Sequence, residues 1–135
     1  MQSRKIAREQ TFYLIFEKIF NDDSVDNIIE TASEIRTFEI DEYIKTVFAG
    51  VYDNLDRIDL LIAQSSNGWK ISRISKVSLA IMRLAVYEIL FMDDIPVSVS
   101  INEAVELAKK FALPEDASFI NGILGTIAKS VEVSE

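Results

Sequence analysis

The sequence predicts an all-α fold, and three observations carry this prediction. The 135 residues include only two prolines and four glycines, which leaves little material for the turns of a β protein. Apolar residues recur at helical spacing through almost every segment. Serine or aspartate precedes most of these segments, where its side chain can cap a helix N-terminus. A chain of this length suits one domain that buries its own core.

The N-terminal half predicts three helices. Ser3 is the expected cap of a first helix that runs to about Phe20. Ser24 is the expected cap of a second helix, which follows a polar turn at residues 21–24. Asp41 is the expected cap of a third helix, predicted to continue without a break until residues 65–68 end it.

The C-terminal half predicts a central helix after a connector at residues 69–74 that contains a short helical turn. Ser75 is the expected cap of this helix, which spans residues 76–91 and is apolar on nearly all sides. Such a helix is expected to be buried at the centre of the domain. Gly68 is the predicted boundary between an N-terminal three-helix subdomain, about 1–67, and a C-terminal helical subdomain, about 68–135.

A pair of helices is predicted to follow Pro96. Ser100 and Glu103 have the spacing of a capping box, so the first helix of the pair is expected to begin at Ser100. Pro114 suits the first position of the last helix, which is expected to run to about Val131. Gly122 and Gly125 lie within that helix, and close approach of another helix is the expected compensation for their cost.

Composition excludes several chemistries. The chain has no cysteine and no histidine, so it lacks the commonest general base, the commonest metal ligand and any thiol nucleophile. Paired carboxylates stand at predicted turns, where caps and solvent explain them. We therefore predict no catalytic residue, no metal site and no cofactor. No apolar run reaches membrane-spanning length and the start lacks a signal-peptide core, so a cytoplasmic location is expected.

Charge is unevenly distributed along the chain. The net charge is −8, which argues against a broadly basic nucleic-acid surface. Residues 1–8 nevertheless carry +3, from Arg4, Lys5 and Arg8, whereas residues 9–66 carry −9 and residues 67–135 carry −2. Residues 60–87 hold four cations and no acid. An acidic majority can confine nucleic acid to a small basic site.

Two interpretations are open for the basic start. Arg4 and Arg8 are i,i+4 neighbours, so both guanidinium groups can project from one helix face and bind phosphate. Alternatively, this is a solvated helix end in which Lys5 pairs with Glu9.

Two residues further along the chain also have two interpretations each. Phe119 can pack in the core or, if exposed, stack on an unpaired base. Arg83 lies in the apolar central helix and needs a carboxylate partner, Glu88 or another, unless it faces a protein partner.

Several motifs, in order and spacing, resemble the NusB family of bacterial antitermination factors. The N-terminal SRKIARE is similar to the family's arginine-rich start, and AIMRLAVYEIL is similar to its central helix. SINEAVELAKKF followed by FINGIL resembles the family's C-terminal signature and is the most specific of these segments.

This resemblance implies a compact helical domain of about seven helices in two three-helix subdomains. It implies binding of boxA, a single-stranded element of nascent ribosomal RNA, together with NusE, a small-subunit ribosomal protein. It also implies assembly with other Nus factors on RNA polymerase. The implied RNA contacts are Arg4, Lys5, Arg8, Ser118 and Phe119, and the implied NusE contacts are Phe16, Lys76, Ser78 and Leu79.

The chain departs from the family pattern at two positions. Ile6 interrupts what is often an unbroken arginine run, and Ser118 replaces a residue that is often basic. Both changes reduce phosphate attraction, so we expect weak boxA binding without NusE. Two other functions are kept open: a protein-interaction or homodimer module without RNA binding, and a fragment like the N-terminal RNA-binding domain of a ribosomal-RNA methyltransferase.

Overall fold

A computed structural model describes residues 2–35, 39–68 and 70–134, which contain seven α-helices, one 3₁₀ turn and no strand. The all-α prediction is confirmed. No helix within the described ranges is long and apolar enough to cross a membrane. The α-helices are α1 (Arg4–Ile19), α2 (Val25–Ile35), α3 (Glu42–Asp53), α4 (Leu55–Ser65), α5 (Lys76–Phe91), α6 (Val97–Phe111) and α7 (Pro114–Ser134), and the 3₁₀ turn is Ile71–Arg73.

Four predicted helix caps are confirmed. Each cap side chain accepts a hydrogen bond from a backbone N–H in the first turn, and such a cap contributes about 1 kcal/mol. The bonds are Ser3 Oγ from Ile6 at 3.2 Å, Ser24 Oγ from Asn27 at 3.1 Å, Asp41 Oδ1 from Ile44 at 3.0 Å and Ser75 Oγ from Ser78 at 3.1 Å.

The prediction of one unbroken third helix is wrong, because the chain bends at Asn54. The backbone of Asn54 leaves helical geometry, with φ −121° and ψ 21°. Its side-chain amide donates to the carbonyl of Gly50 at 2.8 Å and its backbone N–H donates to the same oxygen at 3.1 Å. A side chain that bonds its own backbone in this way competes with the helix ladder, so α3 ends and α4 begins there.

The predicted capping box at Ser100 is also wrong. Helix α6 begins three residues earlier, at Val97, with Pro96 at the cap position. Ser100 is therefore inside the first turns, and its hydroxyl donates to the buried Glu88 at 2.7 Å. Ser100 therefore joins α6 to α5 and does not cap its own helix.

Helix α5 lies at the centre of the domain, as predicted. It packs against α1, α3, α4, α6 and α7, and nearly all of its residues are buried. The turn before it contains Asn67 and Gly68 with φ 50° and 88°. Trp69 lies outside the described residues. The division into two subdomains at Gly68 stays a prediction.

The glycine that permits close packing is Gly50, not Gly122 or Gly125. A Cβ built at Gly50 would stand 2.3 Å from the Tyr87 ring, so α3 and α5 approach closely only because this side chain is missing. Neither Gly122 nor Gly125 has any atom within 4 Å of a built Cβ. The prediction that another helix packs closely on them is wrong.

Candidate nucleic-acid interface

A buried polar cluster joins the start of the chain to the central helix. Glu88 is completely buried on α5, and its carboxylate accepts hydrogen bonds from residues on three other helices. Arg8 of α1 donates through Nε at 2.8 Å and Nη2 at 3.3 Å. The Tyr43 hydroxyl of α3 and the Ser100 hydroxyl of α6 also donate to this carboxylate. Since each donor comes from a different helix, Glu88 fixes how α1, α3 and α6 sit on α5.

The Glu88 cluster shifts the pKa values of Arg8 and Tyr43. Burial lowers the pKa of Arg8, but the hydrogen bond and charge of Glu88 outweigh it and the net pKa is raised. Burial also raises the pKa of Tyr43 above its usual value, and the negative charge of Glu88 raises it further. Arg8 therefore stays protonated and Tyr43 stays neutral through the physiological range.

The prediction that Arg8 projects toward solvent beside Arg4 is wrong. Arg8 is only 4% exposed, because its guanidinium is held by Glu88 inside the domain. The predicted Lys5–Glu9 pair is also absent. The Lys5 ammonium lies 3.6 Å from Glu103, while Glu9 accepts from Lys110 at 2.9 Å. These contacts could not be read from spacing along α1, since every partner lies on another helix.

Arg4 and Lys5 remain at the surface, next to the buried cluster. The Arg4 guanidinium lies over the Tyr43 ring, 4.6 Å from its centroid, and so sits on a residue that Glu88 holds in place. Lys5 lines a cavity of about 290 Å³ between α1 and α6, in which Lys109 and Lys110 stand beside the carboxylates of Glu9, Glu103 and Glu106. The start of α1 therefore exposes two cations, and the bonds of Arg8 and Tyr43 to Glu88 fix the position of the helix that carries them.

A second groove lies between α5 and the start of α7. Its volume is about 260 Å³, and it is lined by Arg73, Ile74, Ser75, Ser78, Glu115, Asp116 and Phe119. Phe119 is half-buried, so it packs against the core and also lines this groove. Ser118 is exposed next to it. We call this the Phe119 groove.

The sequence reasoning missed Arg73 at this position. No positive charge occurs between Phe111 and Ala128, so the sequence around Phe119 gave no sign of a nearby cation. The folded chain brings Arg73 to the groove from the segment before α5. The available signal was the acid-free stretch of residues 60–87, which contains Arg73.

The predicted ion pair at Arg83 is present, but its partner is Asp59 rather than Glu88. The guanidinium bonds both carboxylate oxygens, with Nε at 2.9 Å and Nη2 at 2.8 Å. This two-point contact joins α5 to α4. Arg83 therefore has a structural partner.

The residues implied as NusE contacts divide into accessible and buried ones. Phe16 is half-buried and Lys76 is exposed. Ser78 and Leu79 are only 1% and 2% exposed, and their role as NusE contacts stays a prediction. Phe20 was not singled out from the sequence; it is 66% exposed, and its ring meets the Phe16 ring edge-on at 5.2 Å, at an i,i+4 spacing that could have indicated this pair.

The same all-helical fold occurs in solved structures of NusB proteins. A chain of the crystal structure of antitermination factors NusB and NusE in complex with dsRNA has the same fold: TM-score 0.84, 24% identity, 94% of this chain and 96% of that chain covered. NusB from T. maritima matches with TM-score 0.83 and 33% identity over 95% of this chain and 92% of that chain.

Sequence comparison gives the family. The family model described as "NusB family" matches residues 5–129. The transcription antitermination protein NusB of Natranaerobius thermophilus is 48% identical over 134 residues, covering 96% of each chain. This chain belongs to the NusB family.

Proposed function

We propose that this protein is a cytoplasmic, non-enzymatic transcription antitermination factor. In this role it binds boxA of nascent ribosomal RNA together with NusE and joins the other Nus factors on RNA polymerase. Family membership supports antitermination, because the relative that is 48% identical carries that function in its name. The RNA and NusE roles follow from the family resemblance of the motifs quoted above.

The observation that carries the RNA-binding role is the exposed pair Arg4 and Lys5 at the start of α1. In a chain of net charge −8, these cations stand where the first helix is capped and anchored. Phosphate binding by them needs no rearrangement of the fold. Arg8 serves this surface indirectly, since its bond to Glu88 fixes the helix from which Arg4 and Lys5 project.

The same observation supports dependence on NusE. With Arg8 buried, only two of the three N-terminal cations can meet phosphate directly. Fewer phosphate contacts mean weaker binding, so a partner that adds contacts should raise the affinity strongly. Phe16, Phe20 and Lys76 are the proposed accessible contacts for that partner.

Titration of a fluorescent boxA RNA at two salt concentrations, with and without NusE, tests this function. Each phosphate contact on a single strand contributes about 0.7 to the slope of log affinity against log salt. Arg4→Ala and Lys5→Ala should each weaken binding and reduce that slope by about this amount. Lys45→Ala is the matched control, because Lys45 is an exposed cation two residues from Tyr43 on α3 and so points to the opposite side of that helix.

Three results would contradict parts of the proposal. Equal affinity with and without NusE would remove the dependence on the partner. Arg4→Ala and Lys5→Ala curves that match Lys45→Ala would move the RNA surface elsewhere. Absence of salt-sensitive RNA binding under all conditions would favour the protein-interaction or homodimer module.

A further inference from the structure

We propose that Glu103 on α6 limits the affinity of this protein for RNA, because its carboxylate competes with RNA phosphate for Lys5. This inference rests on the proposed RNA-binding function and deepens it. It identifies a side chain of the protein itself that the RNA backbone must displace, and it makes binding weaker than the exposed cations alone would give.

Glu103 lies beside both a surface cation and a buried one. Its Oε2 is 3.6 Å from Lys5 Nζ and 3.9 Å from Arg8 Nη1. The Lys5 side chain is 70% exposed and the Glu103 side chain is 26% exposed, whereas Arg8 is held inside the domain by Glu88. Lys5 is therefore the cation of this group that a ligand can reach, and Glu103 is the carboxylate next to it.

The contact between Lys5 and Glu103 can break while the fold stays intact. Its length of 3.6 Å exceeds the 2.7–2.9 Å or so of a strong charged hydrogen bond, and exposed ion pairs of this kind add little stability. Stronger bonds hold the two helices, since Glu88 accepts from Arg8 of α1 and from Ser100 of α6. Lys5 can thus turn from Glu103 to a phosphate without moving α1 or α6.

The other lysines of this cavity also have carboxylate partners. Lys110 Nζ lies 2.9 Å from Glu9, and Lys109 Nζ lies 3.5 Å from Glu106. Four cations and three carboxylates line the cavity in all, so its net charge is only +1, and loss of one carboxylate doubles it. A single acidic side chain therefore has a large influence on how strongly this cavity attracts phosphate.

Glu103 is the carboxylate whose charge a phosphate on Lys5 would meet most directly. Within the described ranges, it is the residue that forms an ion pair with Lys5. A phosphate oxygen about 2.8 Å from the Lys5 ammonium would lie within about 6.4 Å of Glu103 Oε2. This separation is shorter than the screening length of about 8 Å at physiological salt, so the repulsion between the two anions is only partly screened.

The first experiment measures affinity for boxA RNA, with NusE present, at two salt concentrations. Glu103→Gln keeps the shape of the side chain and removes its charge, so it should tighten binding about 2- to 10-fold and steepen the salt slope by up to about 0.7. Glu103→Asp keeps the charge and should bind like the unaltered protein. Glu34→Gln is the matched control, because Glu34 is an exposed carboxylate on α2 that does not line this cavity.

The direction of the change separates competition from a structural role. If Glu103 only held α1 against α6, its loss would loosen the helix that carries Lys5, and RNA would bind more weakly. Competition predicts tighter binding, even if urea unfolding shows a small loss of stability through the contact with Arg8. Weaker binding or loss of folding in Glu103→Gln would overturn the inference.

The second experiment combines Glu103→Gln with Lys5→Ala. Without Lys5 no phosphate is held beside residue 103, so Glu103→Gln should then change the affinity no more than Glu34→Gln does in the same background. Such non-additivity is expected of two side chains that act on one phosphate. An equal gain with and without Lys5 would show that Glu103 does not act through Lys5, and the inference would fail.

The remaining outcomes separate this inference from the proposed function. If Arg4→Ala and Lys5→Ala weaken RNA binding but Glu103→Gln behaves like Glu34→Gln, the inference is overturned and the function stands. If Glu103→Gln tightens binding of NusE in the absence of RNA by the same factor, the gain belongs to the protein partner and the inference is also overturned. If the unaltered protein binds no RNA, both fail.

Discussion

Replacing Arg8 by alanine tests the role assigned to the buried cluster. The substitution leaves the completely buried Glu88 carboxylate without Arg8, the one cationic hydrogen-bond donor to it among the described residues. Removing one partner of a buried ion pair costs about 3–5 kcal/mol. Tyr43 and Ser100 would still donate to Glu88, so we expect a cost near the lower end, about 3 kcal/mol. This is a large share of the roughly 5–15 kcal/mol that stabilises a typical domain.

Urea unfolding followed by circular dichroism measures this cost. For a slope of about 2 kcal/mol/M, a loss of about 3 kcal/mol lowers the unfolding midpoint by about 1.5 M. Arg4→Ala is the matched control, since Arg4 is exposed and the described contact that it loses, with the Tyr43 ring, contributes about 0.5–1 kcal/mol. If the two variants shift the midpoint equally, Arg8 does not hold Glu88 as described and the reasoning fails.

Gly50→Ala should lower the free energy of unfolding by about 0–2 kcal/mol, because crowding against Tyr87 costs about 1–3 kcal/mol and alanine returns about 1 kcal/mol of helix propensity. Gly122→Ala, with no crowding, should raise it by up to about 1 kcal/mol; thermal melts that move both variants in the same direction by the same amount would contradict this pair. Tyr43→Phe should flatten the alkaline loss of stability. The pKa of Tyr43 is raised in the folded state, so the unfolded chain loses this proton first as the pH rises above about 10. The stability that neutral Tyr43 gives the folded state is therefore complete below about pH 10, and above about pH 10 the free energy of unfolding falls by about 1.4 kcal/mol per pH unit. Urea midpoints at pH 9.5, 10.5 and 11 that fall equally for both proteins would refute the assignment.

The sequence predicts the local structure of this chain well. Helix caps depend on one side chain and a backbone group two or three residues away, so Ser3, Ser24, Asp41 and Ser75 could all be recognised from spacing. The central position of α5 follows from a surface that is apolar on nearly all sides. These features need no knowledge of which helices meet.

The predictions that proved wrong concern side chains whose partners lie on another helix. Ser100 has the spacing of a cap, but its hydroxyl bonds Glu88 across the core instead. Arg8 has the spacing of a surface cation, but its partner is eighty positions away in the sequence. Both residues serve a cluster that exists only after α1, α5 and α6 have packed, so periodicity along one helix could not reveal it.

The candidate site was predictable only in part. The basic start and Phe119 could be proposed from residue type and family resemblance, and the structure keeps Arg4 and Lys5 exposed. The meeting of Arg73 with Phe119 could not be proposed, because no pattern in the sequence links residues forty-six positions apart.

The bond between Arg8 and Glu88 also has a consequence for synthesis of the protein on the ribosome. The eighty residues that separate the two side chains take roughly 4–16 s to synthesise at 5–20 residues per second. During that time α1 cannot acquire its final anchor, although its sequence was made first. The surface that carries Arg4 and Lys5 is therefore completed late, and a nascent or truncated chain that lacks α5 would not present it in its folded form.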